Sequence, residues 1–233
     1  MAFRFKHFTV EDDLSTLKVG TDAMLLGAWA NPGTASRILD VGTGCGILAL
    51  MMAQKTKAFI DAIDIDPVSV NEAGKNFIRS PWYDRIAAIC ESFQHFYPTC
   101  GKTYDFIISN PPYYNNQLKS PSLKANIARH DEGIKPEELL AGIEHLLHQH
   151  GSFAVIYPYT ERSGMMDKCT RKGFYLTKQM IIHPRPAANP IRTLMEFSRS
   201  PVLTPPAATM FILDNHENFS RDYLALTADF HYF

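Results

Sequence analysis

The stretch Arg37-Ile38-Leu39-Asp40-Val41-Gly42-Thr43-Gly44-Cys45-Gly46-Ile47 carries an apolar run into a glycine-rich turn and out into a second apolar run. A strand whose last residues are glycines opening a helix presents backbone N–H groups where a ligand can meet a helix N-terminus. The next apolar run, 59–64, ends in Asp64, twenty residues after Gly44. At that separation a carboxylate can accept hydrogen bonds from both hydroxyls of a ribose. A nicotinamide-binding turn would place its third glycine at position 47, but Ile47 stands there and the spacing is D-x-G-x-G-x-G. The competing reading is a glycine-rich turn with Asp64 merely capping the following helix.

Outward from this turn, short β-type runs alternate with helical patterns, the signature of an α/β protein with a doubly wound parallel sheet. Strands are expected at 37–41, 59–64, 86–90, 104–109 and 152–157. Helices are expected at 47–55, at 67–79 with Asp66 as cap and Pro67 in the first position, and at 136–148. After Gly173 the pattern changes, with strand-like runs at 176–183 and 194–200 joined by the proline-rich 184–190, and a further run at 209–213. These imply a Rossmann-like sheet of seven strands whose last members run antiparallel, in one domain over 1–233. The polar insertion 115–130 is long for a compact domain and suggests function.

Composition narrows the classes. Hydrophobic residues make up 45% and charged residues 20% of the 233, so disordered, collagenous and coiled-coil classes drop out. No apolar run approaches the roughly 18 residues that cross a bilayer, and residues 1–7 lack the apolar core of an export signal. Cys45, Cys90, Cys100 and Cys169 show no C-x-x-C spacing, which argues against a zinc knuckle or redox pair and for a reduced, cytoplasmic protein. No metal is expected: His145, His148 and His150 share no carboxylate or cysteine at ligand spacing. The net charge of −1 weighs against a polyanionic partner, yet 162–199 holds eight Lys or Arg against Asp167 and Glu196. That stretch is either a nucleic-acid surface or a solvated face.

Asp105-Phe106-Ile107-Ile108-Ser109-Asn110-Pro111-Pro112-Tyr113 runs an apolar strand into a rigid turn at the carboxyl edge of the sheet. The exocyclic amine of adenine is a poor nucleophile because its lone pair is delocalised into the ring. An Asn side-chain oxygen and a peptide carbonyl can hold both amine hydrogens and stabilise the charge that develops on attack. Prolines fix those acceptors in place, and Tyr113 offers a face on which a flipped base can stack. Arg129 and His130 follow this turn; they contact RNA phosphate or form a surface pair with Asp131 or Glu132.

The glycine turn and its preceding acid resemble motif I of S-adenosylmethionine-dependent methyltransferases, and Asn110-Pro111-Pro112-Tyr113 resembles motif IV of the amino-methyltransferases. With Phe8-Thr9-Val10, Leu17-Lys18-Val19-Gly20-Thr21-Asp22, Leu25-Leu26-Gly27-Ala28-Trp29, Arg129-His130 and 224–230, the chain resembles the bacterial tRNA1(Val) adenine N6-methyltransferases over nearly its whole length. That resemblance implies methylation of the adenine 3′ of the anticodon, adenine 37, with S-adenosylmethionine as cofactor and tRNA as partner. It implies a short segment over the cofactor, about residues 1–30, in which Lys18, Thr21 and Asp22 take part. Asp40, Gly42, Gly44, Gly46, Asp64, Ile65 and Asn110 complete the expected cofactor site, and Asn110 to Tyr113 line the base pocket. The third strand departs from the family's Ala-Asp ending, so either Glu91 or Ser92 reads the cofactor's adenine. Arg185 and Arg192, flanking the proline-rich connection, are the leading candidates for the tRNA backbone.

Two rivals stand beside this reading. A glutamine N5-methyltransferase shares Asn-Pro-Pro-Tyr but resembles a helical domain fused ahead of the catalytic one, and 39 residues precede Asp40 here. A non-catalytic nucleoside- or RNA-binding protein would not need Asp64 and Asn110 together. Neither membrane nor obligate protein partner is evident.

Overall fold

In a computed structural model describing residues 2–15, 18–111, 134–203 and 206–231, the alternating runs form one eight-stranded sheet and a two-stranded ribbon. The ribbon pairs β1 (Ala2–Arg4) with β2 (Thr9–Glu11). Then follow α1 (Thr21–Trp29), β3 (Arg37–Val41), α2 (Ile47–Lys55), β4 (Phe59–Asp64), α3 (Pro67–Ile78), β5 (Ile86–Cys90), α4 (Phe93–Thr99) and β6 (Tyr104–Ser109). Beyond them lie α5 (Pro136–Leu146), β7 (Leu147–Pro158), α6 (Arg162–Arg171), β8 (Tyr175–His183), β9 (Arg192–Ser198), β10 (Ala208–Phe211) and α7 (Arg221–Thr227).

The strand order is β10-β8-β9-β7-β6-β3-β4-β5. From β3 the chain winds outward through β4 and β5 and then returns to place β6 on β3's other side, so the direction of winding reverses between β3 and β6. Such a switch point opens a crevice at the carboxyl ends of the strands. Alternate residues of β3 serve two cores: Ile38 packs with α1, α2, α3 and α7, whereas Leu39 and Val41 pack with α4, α5 and α6. The fold is therefore three layers, helix on sheet on helix.

β7 and β9 rise above their neighbours at the carboxyl edge. Ser109, the last residue of β6, pairs with Val155, and β7 continues three residues to Pro158, which pairs with Arg192 of β9. At about 3.3 Å per residue this makes a step about 10 Å high beside the end of β6.

Three expectations are corrected. Among the described residues the sheet has eight strands, not seven, and of the late strands only β9 runs against the rest, because β10 pairs with β8 in parallel. The helix expected at 136–148 stops at Leu146, because buried Leu147 pairs with Tyr104 at the start of β7. The register then shifts over exposed His148 to His150, and Gly151 returns the chain to the sheet with its Cα so near Asp105 O that a Cβ would lie 2.9 Å from it. Among the described residues no helix is long and apolar enough to cross a membrane.

Candidate active site

Gly42, Gly44 and Gly46 hold φ of 74°, 55° and 89°, the left-handed region that side chains disfavour. The turn is pinned from below: Gly42 and Thr43 donate their N–H groups to Ile63 O at 2.9 and 3.0 Å, and Gly46 N–H donates to Thr43 O at 2.9 Å. Asp40 lies wholly buried on the α2 side of β3, where its Oδ2 accepts from Thr43 Oγ1 at 2.6 Å and from Ala49 N–H at 3.1 Å. It thus sits beneath the turn and holds it in place through these two bonds. Its Oδ1 has no hydrogen-bond partner among the described residues. Burial pushes the Asp40 carboxyl up to about 7. Its folded value exceeds the unfolded one, so Asp40 lowers stability as pH rises from about 4 to 7. Asp40→Asn is expected to flatten stability over that window in urea melts taken at several pH values. A slope as steep as wild type would assign the proton elsewhere.

Asp64 closes the loop from the neighbouring strand. Its Oδ2 accepts from Gly44 N–H and its Oδ1 from Asp66 N–H, both at 2.9 Å, while burial raises its pKa. The cap of α3 is Asp66, which accepts from Val68 and Ser69 N–H at 3.2 Å. Asp64 is therefore free of the capping task that the bland reading gave it, and each of its oxygens has accepting capacity left for a hydroxyl. Replacing it with Ala is expected to weaken S-adenosylmethionine binding by about 1 to 3 kcal/mol through lost charged hydrogen bonds. Calorimetry showing wild-type affinity would reduce Asp64 to a turn residue.

Beside it, Ile65 is 51% exposed. Glu91 N–H donates to Asp64 O at 3.1 Å, which brings Glu91 to the same edge with its side chain half-buried. Ser92 caps α4 by accepting from His95 N–H at 3.3 Å. Cys45 is buried and burial pushes its thiol up to about 12, so it is an unreactive filler between glycines.

Across the switch point Val41 pairs with Ser109, whose Oγ donates to Val41 O at 2.8 Å. The residues that follow, Gly42 and Asn110, are thereby set side by side. Asn110 is half-buried and Pro111 buried; Pro112, Tyr113, Arg129 and His130 lie outside the described residues.

The N-terminal segment is sewn onto α3 above the glycine turn. Glu72 accepts from Leu14 and Ser15 N–H at 2.8 and 2.7 Å. Asn76 bonds both faces of the junction, donating to Glu11 O and to Cys45 O at 2.8 Å. Val19 N–H donates to Asp12 Oδ2 at 2.9 Å, and Lys18 Nζ to Asp12 O and to Asp13 O, the latter at 2.8 Å. Thr21 is exposed at the start of α1. Sequence reasoning missed Glu72 and Asn76; the sequence shows only two polar residues four apart on a helix, and the structure buries both.

The basic run 162–199 does not form one surface. Strand reversal places Arg162, Arg185 and Arg192 at the carboxyl edge and Lys172 and Arg199 at the opposite edge, where both meet Glu144. Arg162 donates to Gln179 Oε1, Lys168 pairs with Glu137, and Arg185 pairs with Glu217 at 3.2 Å with both side chains largely exposed. Arg192 Nε donates to Asp22 Oδ2 at 2.8 Å.

Comparison with known proteins agrees with this geometry. Residues 15–134 match the methyltransferase small domain family. Over 229 residues the chain is 41% identical to a Phocaeicola vulgatus protein named tRNA1(Val) (adenine(37)-N6)-methyltransferase, covering 98% of this chain and 97% of the relative. A Bacteroides fragilis relative of the same name is 38% identical over 230 residues, with the same two coverages. The crystal structure of a predicted O-methyltransferase from Agrobacterium tumefaciens superposes with a TM-score of 0.65 at 17% identity, over 90% of this chain and 96% of that one. That last likeness shows the fold alone, a Rossmann-like methyltransferase sheet. With near-complete coverage by relatives well above 30% identity, the chain belongs to the bacterial tRNA1(Val) (adenine(37)-N6)-methyltransferase family.

Proposed function

We propose that the protein methylates the exocyclic N6 of adenine 37 in tRNA1(Val), using S-adenosylmethionine, as a single catalytic domain whose N-terminal segment covers the cofactor. The observation that carries this reading is the Val41–Ser109 register, which sets the glycine turn beside Asn110 at the switch point. The residues present suit the cofactor: a turn of left-handed glycines, an acid with accepting capacity at the neighbouring strand end, and an exposed apolar side chain next to that acid. When bound, S-adenosylmethionine supplies an already activated methyl group on sulfur.

The chain's own groups then do the following. Asp64 accepts from the ribose hydroxyls, and Ile65 offers an apolar surface to the cofactor's adenine. Glu91 reads that adenine's amine, because a carboxylate is a stronger acceptor than the Ser92 hydroxyl, which already caps α4. On the substrate side, Asn110 Oδ1 and a peptide carbonyl of the proline turn accept the two hydrogens of the target amine. This favours a pyramidal nitrogen and stabilises positive charge as it develops. Tyr113 stacks on the extruded base. Arg185, Arg129 and His130 supply phosphate contacts on the tRNA, a substrate that places the protein in the cytoplasm. No covalent enzyme intermediate is needed, since positioning and acceptor geometry suffice.

Transcripts of tRNA1(Val) carrying adenine or guanine at position 37 test this directly. Methyl incorporation from labelled S-adenosylmethionine into the first and not the second is expected. Equal labelling of both would move the target elsewhere.

A further inference from the structure

The ion pair between Arg192 and Asp22 joins residues 170 apart, and its position gives it a task that the site as described leaves unassigned. Arg192 opens β9 and is held by backbone pairing on both sides, to Pro158 of β7 and to Ile182 of β8. It stands at the top of the step that rises beside Asn110. Asp22 is the second residue of α1, where a carboxylate is favoured by the helix dipole. Both side chains are mostly withdrawn from solvent, at 29% and 25% exposure.

The far end of α1 is already fastened. Lys55 Nζ donates to Ala28 O and Ala30 O at 2.6 Å, and Lys178 Nζ donates to Trp29 O at 3.1 Å while lying 4.3 Å from the Trp29 ring centre. Along its length α1 is pressed so closely on α2 that a Cβ at Gly27 would fall 2.3 Å from Met51 Sδ. At the carboxyl edge, Arg192 holds the end from which residues 18–20 lead back toward the glycine turn.

We infer that Arg192 is a positioning residue that clasps the N-terminal covering segment over the crevice through Asp22, in place of the tRNA-backbone contact its charge suggested. The inference rests on the reading of that crevice as the S-adenosylmethionine site. With its Nε–H given to Asp22 and an Nη1–H to Ile191 O at 3.0 Å, and its charge offset by a part-buried carboxylate, this guanidinium draws a phosphate less strongly than an exposed, unpaired arginine would. Its loss would free the segment without removing any group that touches the cofactor through Arg192 itself.

A double-mutant cycle tests this on the full chain, with Asp22→Asn, Arg192→Gln and the two combined, and Arg192→Lys as the conservative variant. Each single change is expected to raise the dissociation constant for S-adenosylmethionine about tenfold, and the double change no further than the worse single. Lysine should recover part of the loss. Amide hydrogen exchange over residues 20–26 should quicken in Arg192→Gln, while the salt dependence of tRNA binding stays that of wild type. Additive losses, unchanged exchange, or intact cofactor affinity with a shallower salt slope would each overturn the clasp, the last by restoring Arg192 to the RNA. If the wild-type protein bound no S-adenosylmethionine, the proposed function would fall, and the exchange rates alone would decide the clasp. Should the Gln variant fail to fold, the Lys variant carries the same comparison.

Discussion

Asn110→Ala is expected to bind S-adenosylmethionine nearly as well as wild type while methyl transfer in a single turnover slows by about 100-fold or more. The reason lies in when the Asn110 bond matters. In the ground state the adenine amine is planar and weakly basic, and its hydrogens can be satisfied by water. As the nitrogen attacks, it becomes pyramidal and cationic, so an acceptor already held in place strengthens at the moment of reaction, and losing one such contact typically costs 100- to 1000-fold. The rigidity comes from β6, which is locked to β3 through Ser109 Oγ and Val41 O, and from buried Pro111. An unchanged single-turnover rate would take the acceptor role away from Asn110. A parallel loss of cofactor affinity would mean that Asn110 serves both ligands.

The largest effect on stability is expected at Gly46. With φ at 89°, an alanine there would be strained by about 1 to 2 kcal/mol. Its Cβ would also lie 2.4 Å from Cε1 and 2.8 Å from Cζ of Phe77, a ring carried by α3 and only 3% exposed. Relieving that clash requires moving α3, which carries Glu72 and Asn76 and hence the N-terminal segment. Adding typical overpacking costs, Gly46→Ala should lose about 2 to 5 kcal/mol in urea melts and bind S-adenosylmethionine poorly. Gly42 provides the control. A Cβ there meets nothing within 4 Å, so Gly42→Ala should lose only the backbone strain, about 1 to 2 kcal/mol. Equal losses at the two positions would show that the Phe77 contact yields freely.

The strands β3, β4, β5 and β6 fall where the apolar runs place them, because each is short and punctuated by glycine, proline or an acid; β3, β4 and β6 are largely buried on two faces, while β5, at the sheet edge, is half-exposed. Asp66 and Pro67 mark the start of α3 for the same local reason. The helix α1 was not legible as a helix: Ala23 to Trp29 are all buried, so no polar stripe reveals a 3.6-residue period. Helix α6 was also missed, with few apolar residues to signal it.

The candidate site divides along similar lines. The glycine turn and Asp64 sit within one βαβ unit, so their separation in sequence fixes their meeting in space, here the Gly44 N–H to Asp64 bond. The Arg192–Asp22 pair crosses 170 residues, and no local pattern announces it. The excess charge of 162–199 is a linear count that ignores strand reversal, which sends its cations to opposite edges of the sheet and into contacts with Gln179, Glu137, Glu144 and Glu217. That Asp40 is wholly buried and bonded to Thr43 and Ala49 is not legible in the sequence, because the Ala49 bond depends on how α2 packs against β3.

The most direct test of the account is nucleoside mass spectrometry of unmodified total tRNA incubated with the protein and S-adenosylmethionine. The result expected is N6-methyladenosine that appears only with both present and maps to position 37 of tRNA1(Val). Unmethylated tRNA, or methyl groups on a protein glutamine instead, would contradict it.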